Sequence, residues 1–207
     1  FRRVLFRSIK IGLTQLGAFL ISRSAILIGS AYLTLDEIAC YGITMQVMDV
    51  LARCAQVMYI AYTPRLAQCR AANDLHQLKL YYTWCVLAYV GIFAVGGIVW
   101  IFLGDWALRL IGSQTFFVPT NLLILALVIG FLEHNHALAA GFIMADNKIP
   151  FFIPSLVSGA ATIVLLWLFL GPMHLGIMGM ILAPGVAQLA YQNWKWPSVV
   201  IKELKDA

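Results

Sequence analysis

Apolar runs near the length of a bilayer crossing alternate along this chain with short polar segments. Roughly 20 apolar residues cross a bilayer as a helix. Six such stretches run from Ile9 to Leu35, Ile38 to Thr63, Leu80 to Leu103, Val118 to Met144, Phe151 to Leu170 and Leu175 to Tyr191. The pattern predicts an all-α polytopic membrane protein, with six transmembrane helices over 9–193 and a polar tail over 194–207. The first stretch exceeds the apolar core of a signal peptide and no small-residue cleavage site follows it, so it is read as a retained helix. Two amphipathic pieces are expected at the membrane surface. One is Pro64 to Lys79, where Leu66, Cys69, Leu75 and Leu78 sit among polar neighbours, and the other is Gly104 to Gln114.

Polar side chains within these stretches carry the functional information. Glu133-His134-Asn135-His136 interrupts the fourth. A charged group at the centre of a spanning helix costs about 2.5–3.5 kcal/mol on insertion scales, so it faces a partner or a watery path rather than lipid. Glu133 shares a helical face with Ala126, Gly130, Ala137, Ala140 and Gly141, and His136 lies one turn along. Two readings remain for Glu133: a hydrogen-bonding residue between packed helices, or a protonatable group with His134 and His136 in ion coupling.

In the second span Gln46, Asp49, Arg53 and Gln56 follow one another at steps of three, four and three, which predicts a polar stripe. Asp49 precedes Arg53 by four, the favourable order for an intrahelical ion pair. The stripe either neutralises itself within a bundle or lines an aqueous cavity. Arg23, between Ser22 and Ser24 in the first span, has no acidic residue within a turn. It is expected to pair with Glu133 or Asp49, or to bind an anion through its planar fork. Pro184-Gly185, after Gly176 and Gly179, marks either a bending point or ordinary packing. Trp194 and Trp196, flanking Lys195, are expected as interfacial anchors.

Composition supports the membrane reading. The chain is 62% hydrophobic and 11% charged, with mean hydropathy +0.87, whereas soluble domains carry about 25% charged residues. Cys40, Cys54, Cys69 and Cys85 show no metal-binding spacing and are read as packing residues. His134 and His136 lack the i, i+4 spacing of a zinc-binding helix, so neither a metal nor a cofactor is expected.

The net charge of +5 is distributed unevenly. Arg2, Arg3, Arg7, Lys10, Arg65, Arg70, Lys79, Lys148, Lys195, Lys202 and Lys205 fall on one side of the predicted membrane and Arg109 on the other. Basic residues stay cytoplasmic, which places both ends in the cytoplasm. No basic run is dense enough for a nucleic-acid footprint. Residues 1–8, Phe-Arg-Arg-Val-Leu-Phe-Arg-Ser, look like translated adapter sequence and are expected to be foreign, with protein missing upstream.

Four segments, taken in order, resemble polysaccharide flippases of the multidrug/oligosaccharidyl-lipid/polysaccharide exporter superfamily. They are Leu35-Asp-Glu-Ile-Ala-Cys-Tyr-Gly-Ile-Thr-Met-Gln46, Tyr62-Thr-Pro-Arg-Leu-Ala-Gln68, Phe131-Leu-Glu-His-Asn-His136 continuing through Ala145-Asp-Asn-Lys-Ile-Pro-Phe151, and Tyr191-Gln-Asn-Trp-Lys-Trp-Pro197. The resemblance covers nearly everything after residue 8 and rests on order and span pattern rather than on a catalytic signature. It implies one six-helix lobe, the C-terminal one, of a two-lobe exporter of the bacterial inner membrane. The missing N-terminal lobe is then a partner within the same chain, and the cargo is a polyprenyl-pyrophosphate-linked oligosaccharide moved by alternating access.

By the same resemblance a cationic cavity holds the pyrophosphate. Arg23 and Arg53 are the implied ligands, joined by Gln46, Gln56 and Asn135 in the substrate cavity. Asp49, Glu133, His134 and His136 are the ion-coupling candidates. Two other functions compete: a multidrug extruder of the same fold, disfavoured by two central arginines, and a membrane enzyme of surface-polysaccharide assembly, disfavoured by the short outer loops.

Overall fold

The computed structural model of the chain describes residues 2–145 and 149–205, and every regular element among them is an α-helix. In order these are α1 (Arg2–Gly29), α2 (Leu35–Ala71), α3 (Leu75–Leu110), α4 (Thr120–Met144), α5 (Phe152–Leu170), α6 (Gly176–Leu189) and α7 (Gln192–Lys205). Four segments are long and apolar enough to cross a membrane: Ser8–Gly29, Leu75–Leu110, Thr120–Met144 and Phe152–Leu170. α2 has the length, at 37 residues, but its polar stripe dilutes its hydropathy. α6 has 14 residues, about 21 Å at ~1.5 Å per residue, short of a hydrocarbon core ~30 Å thick.

Local chemistry sets the helix ends. Thr34 and Glu37 form a capping box at the start of α2: the Glu37 N–H donates to Thr34 Oγ1 (3.3 Å), and the Thr34 N–H donates to Glu37 Oε2 (2.9 Å). Asp74 Oδ1 accepts the Gln77 N–H (3.0 Å) and begins α3 after a turn in which Asn73 adopts φ +55°. The first span is therefore shorter than expected, because α1 stops at Gly29 and residues 30–34 form the turn before α2.

Two surface helices expected from the sequence are absorbed into longer ones. Pro64 to Ala71 continues α2, Leu75 to Lys79 opens α3, and Gly104 to Leu110 closes α3. α2 runs on through Pro64, whose missing N–H leaves the Ile60 carbonyl without its helical donor, and the Thr63 hydroxyl donates to the preceding Tyr59 carbonyl (2.8 Å).

The expected polar tail is also corrected. Residues 192–205 form α7, which packs against α4 with Trp196, Val200 and Leu204 buried. Apolar residues at steps of four give this short helix an inner face, while Lys202 and Lys205 are exposed and Lys195 is half-buried. Trp194 is exposed as expected of an anchor, but Trp196 is core, its ring perpendicular to that of Phe151 at 5.8 Å. Lys148 and its neighbours Asp146 and Asn147, assigned to a cytoplasmic loop, lie outside the described residues, as do Phe1 of the leader and Asp206 and Ala207 of the tail.

The chain's packing is not sequential. α1 lies chiefly along α5 and barely touches α2, while α2 lies along α3. α4 joins the two groups, contacting α2, α3, α6 and α7. Close approach of α1 and α5 depends on small residues. A Cβ at Gly17 would meet the Ser155 carbonyl carbon at 2.5 Å, and one at Gly159 would meet the Gly17 carbonyl oxygen at 3.1 Å. The separation of α1 from α2 leaves a cleft with α4 and α6 behind it.

Candidate functional site: a polar cavity between α1 and α2

That cleft is a cavity of about 990 Å³. α1 contributes Thr14, Ser22 and Arg23 to its wall, and α2 contributes Tyr41, Gln46, Asp49 and Arg53. α4 supplies Ala126, Gly130, Glu133, His134, His136, Ala137, Ala140 and Gly141. Helical periodicity accounts for this grouping, since positions three, four and seven apart return to one face. The small residues of α4 keep the wall shallow around Glu133. At Gly130 a Cβ would press on Met48 Sδ at 2.8 Å, and at Gly141 on the Tyr59 hydroxyl at 2.7 Å.

Seven of the nine residues proposed from sequence line this cavity: Arg23, Gln46, Asp49, Arg53, Glu133, His134 and His136. Gln56 and Asn135 do not. Asn135 is two positions from Glu133, about 200° around the helix at ~100° per residue, and therefore points elsewhere. Gln56 ends a stripe whose three-four-three steps drift around α2, leaving it half-buried beyond the cavity edge.

The expected ion pairs do not form. Asp49 and Arg53 are both exposed to the cleft. The ion pair within 4 Å among the described residues is Arg70–Glu203, so Arg53 is not joined to Asp49, nor Arg23 to Glu133 or Asp49. Spacing of four brings two Cβ atoms near each other, but exposed side chains gain little from closing the pair. Both arginines consequently present guanidinium groups with no described carboxylate in contact.

The histidines are fixed differently. His136 is buried and its Nδ1 donates to Asn193 Oδ1 (2.8 Å), tying α4 to α7. His134 Nδ1 donates to the Gly130 carbonyl one turn back (2.8 Å). Each acceptor is an oxygen without a proton, so Nδ1 carries the hydrogen in both rings and leaves Nε2 as the second nitrogen. The Tyr89 hydroxyl braces α4 from behind by donating to the Phe131 carbonyl (2.8 Å). No group of three potential metal-ligating side chains is brought together among the described residues. Cys85 is buried, Cys40 and Cys69 are half-buried and Cys54 is exposed.

Sequence reasoning missed Tyr41, Gln188, Gln192 and Trp196 on the cavity wall. The signal for the last three was present as a repeat of four running from the sixth apolar stretch into the supposed tail. It was obscured by treating the span's end as the end of the fold.

No protein-family model matches the chain, and comparison with curated proteins and with solved structures finds no match.

Proposed function

We propose that the chain is one lobe of a flippase that carries a polyprenyl-pyrophosphate-linked oligosaccharide across the bacterial inner membrane. The observation that carries this reading is the pair Arg23 and Arg53. Both line one large cavity in a chain with four helices fit to cross a membrane, and neither has a carboxylate within 4 Å among the described residues. Unneutralised guanidinium groups on the wall of one cavity favour a phosphate-bearing cargo, which they grip in bidentate fashion.

In this reading α2 crosses the membrane as well, its polar stripe facing the cleft rather than lipid, and α6 with the start of α7 completes the sixth crossing. Both ends are cytoplasmic, following the distribution of Lys and Arg. A second lobe of the same chain forms the opposite wall, and rocking of the lobes exposes the cleft to each side in turn. Asp49 and Glu133 share the cavity with the arginines, and exchange of a proton or sodium ion there drives the cycle. The chain is a transporter and not an enzyme.

The test uses the full reading frame in a strain whose surface polysaccharide depends on it. Arg23→Ala and Arg53→Ala, at matched membrane expression, are expected to abolish surface polysaccharide. Normal polysaccharide in both variants would remove the reading.

A further inference from the structure

Four buried side-chain nitrogens among the described residues lack a hydrogen-bond acceptor: Trp100 Nε1, Gln188 Nε2, Gln192 Nε2 and Trp196 Nε1. Native proteins leave few such groups, because stranding a buried donor forfeits its hydration without replacement. Three of the four belong to residues on the wall of the same cavity. Gln188 is 2% exposed, and Gln192 and Trp196 are each 4% exposed.

They come from the end of α6 and the start of α7. α6 ends in a turn, with Ala190 N donating to the Val186 carbonyl (3.2 Å) and Tyr191 N to the Gln188 carbonyl three residues back (3.3 Å), and α7 restarts with Lys195 N donating to the Tyr191 carbonyl (3.1 Å). Gln192 and Trp196, four apart on α7, fall on one face, and Gln188 lines the same cavity from the end of α6. The hydrogen bond from His136 to Asn193 anchors the start of α7 to α4. Phe151, also on the cavity wall, packs perpendicular to Trp196.

The donors are uncharged, unlike the guanidinium groups on α1 and α2, and they stand beside aromatic rings. A small number of placed polar groups on an apolar wall is how a pocket orients a neutral ligand. The terminal torsion of a glutamine is soft, so either amide turns toward the cleft at little cost.

We propose that Gln188, Gln192 and Trp196 form a subsite for the uncharged, oxygen-rich part of the cargo, a sugar whose hydroxyl or acetamido oxygens accept their N–H groups. The assignment of a sugar rests on the flippase reading; the stranded donors do not. The cargo then lies across the cavity, with its phosphates toward Arg23 and Arg53 and its first sugar against the α6–α7 wall. Gln188 has a competing structural role, since its side chain is turned toward the Glu133 carboxylate within reach of a hydrogen bond; Gln192 and Trp196 carry the subsite without that neighbour.

The experiment uses the 207-residue chain in detergent, with methyl N-acetylglucosaminide and inorganic pyrophosphate as separate probes. Gln188→Met and Gln192→Met conserve volume and remove the donors. Each is expected to weaken saccharide binding about fivefold, the worth of one neutral hydrogen bond, and to leave pyrophosphate binding unchanged. Arg23→Ala is expected to do the reverse. Melting of the ligand-free chain supplies a second readout: a ligand-directed donor predicts unchanged or higher melting temperature in Gln192→Met, whereas Gln188→Met also loses its partner Glu133. Saccharide affinity unaffected by either variant, no saccharide binding by the unaltered chain, or a fall in melting temperature in Gln192→Met would overturn the subsite. Loss of arginine-dependent pyrophosphate binding, with saccharide binding intact, would instead overturn the flippase reading.

Discussion

Arg70 Nη2 lies 2.7 Å from Glu203 Oε1, fastening the end of α2 to α7 across 133 positions of sequence. Arg70 Nη1 also donates to the Phe142 carbonyl at the end of α4 (3.1 Å), and its guanidinium sits 4.3 Å from the centre of the Phe142 ring. One side chain thus gathers the ends of three helices. The pair's worth is limited by Glu203, whose side chain is 40% exposed. Glu203→Gln is therefore expected to destabilise the fold by less than about 1 kcal/mol. Arg70→Ala removes the carbonyl bond and ring contact as well, for about 2–3 kcal/mol. Hydrogen exchange along α7 checks both, with the larger loss of protection expected in the arginine variant.

Gly17→Leu should prevent α1 from seating on α5. Its Cβ would lie 2.5–2.7 Å from Ser155 backbone and side-chain atoms, and backbone cannot yield as a flexible side chain can. Overpacking of this kind costs about 1–3 kcal/mol or more. Loss of the folded fraction in fluorescence-detected size exclusion is the expected result. Gly12→Leu, where a Cβ meets nothing within 4 Å, serves as the tolerated control.

Much of the cavity was legible from periodicity, because a helix face is fixed by geometry once the span is recognised. Glu133 and the small residues of α4, and Gln46, Asp49 and Arg53 of α2, come together as their spacing requires. Asn135 failed for the same reason, being about 200° away from Glu133. That Asp49 and Arg53 stay unpaired was not legible, since spacing sets the separation of Cβ atoms but the surroundings set the rotamers. Nor was the burial of Trp196, where three lysines drew attention away from an apolar step of four. Association of α1 with α5 depends on which small faces find each other, which no local pattern specifies.

Thr34→Ala should destabilise the start of α2 by about 1 kcal/mol. The same box makes stability depend on pH. Glu37 accepts the Thr34 N–H and hydroxyl, and these bonds hold its carboxyl below the ordinary carboxylate value in the folded chain. A depressed folded pKa gives stability that is present above the unfolded value, about 4.3, and lost as pH falls through the folded one. Denaturant titrations between pH 7 and pH 3 should show this loss in the native chain and a smaller one in Thr34→Ala. Equal slopes would mean the box has no energetic role.

A water-filled cleft makes a sharp claim about access. In a background with the four native cysteines replaced, Ser22→Cys, Gln46→Cys and Ala137→Cys should react with a membrane-impermeant, charged thiol reagent. Val95→Cys, exposed on α3 away from the cavity, should stay protected by lipid in a bilayer and become reactive in detergent. Protection of all three cleft positions in the bilayer would mean that lipid or protein fills the space.

The pairing of α1 with α5 imposes an order on manufacture. α1 ends at Gly29 and α5 begins at Phe152, so about 120 residues must be synthesised before the Gly17 face meets its partner. At ~5–20 residues per second that is roughly 6–25 s. Throughout this interval the Gly17 face of α1 is without the α5 surface on which it packs. The wall of the cavity is thus completed late, by a helix from the second half of the chain docking onto the first.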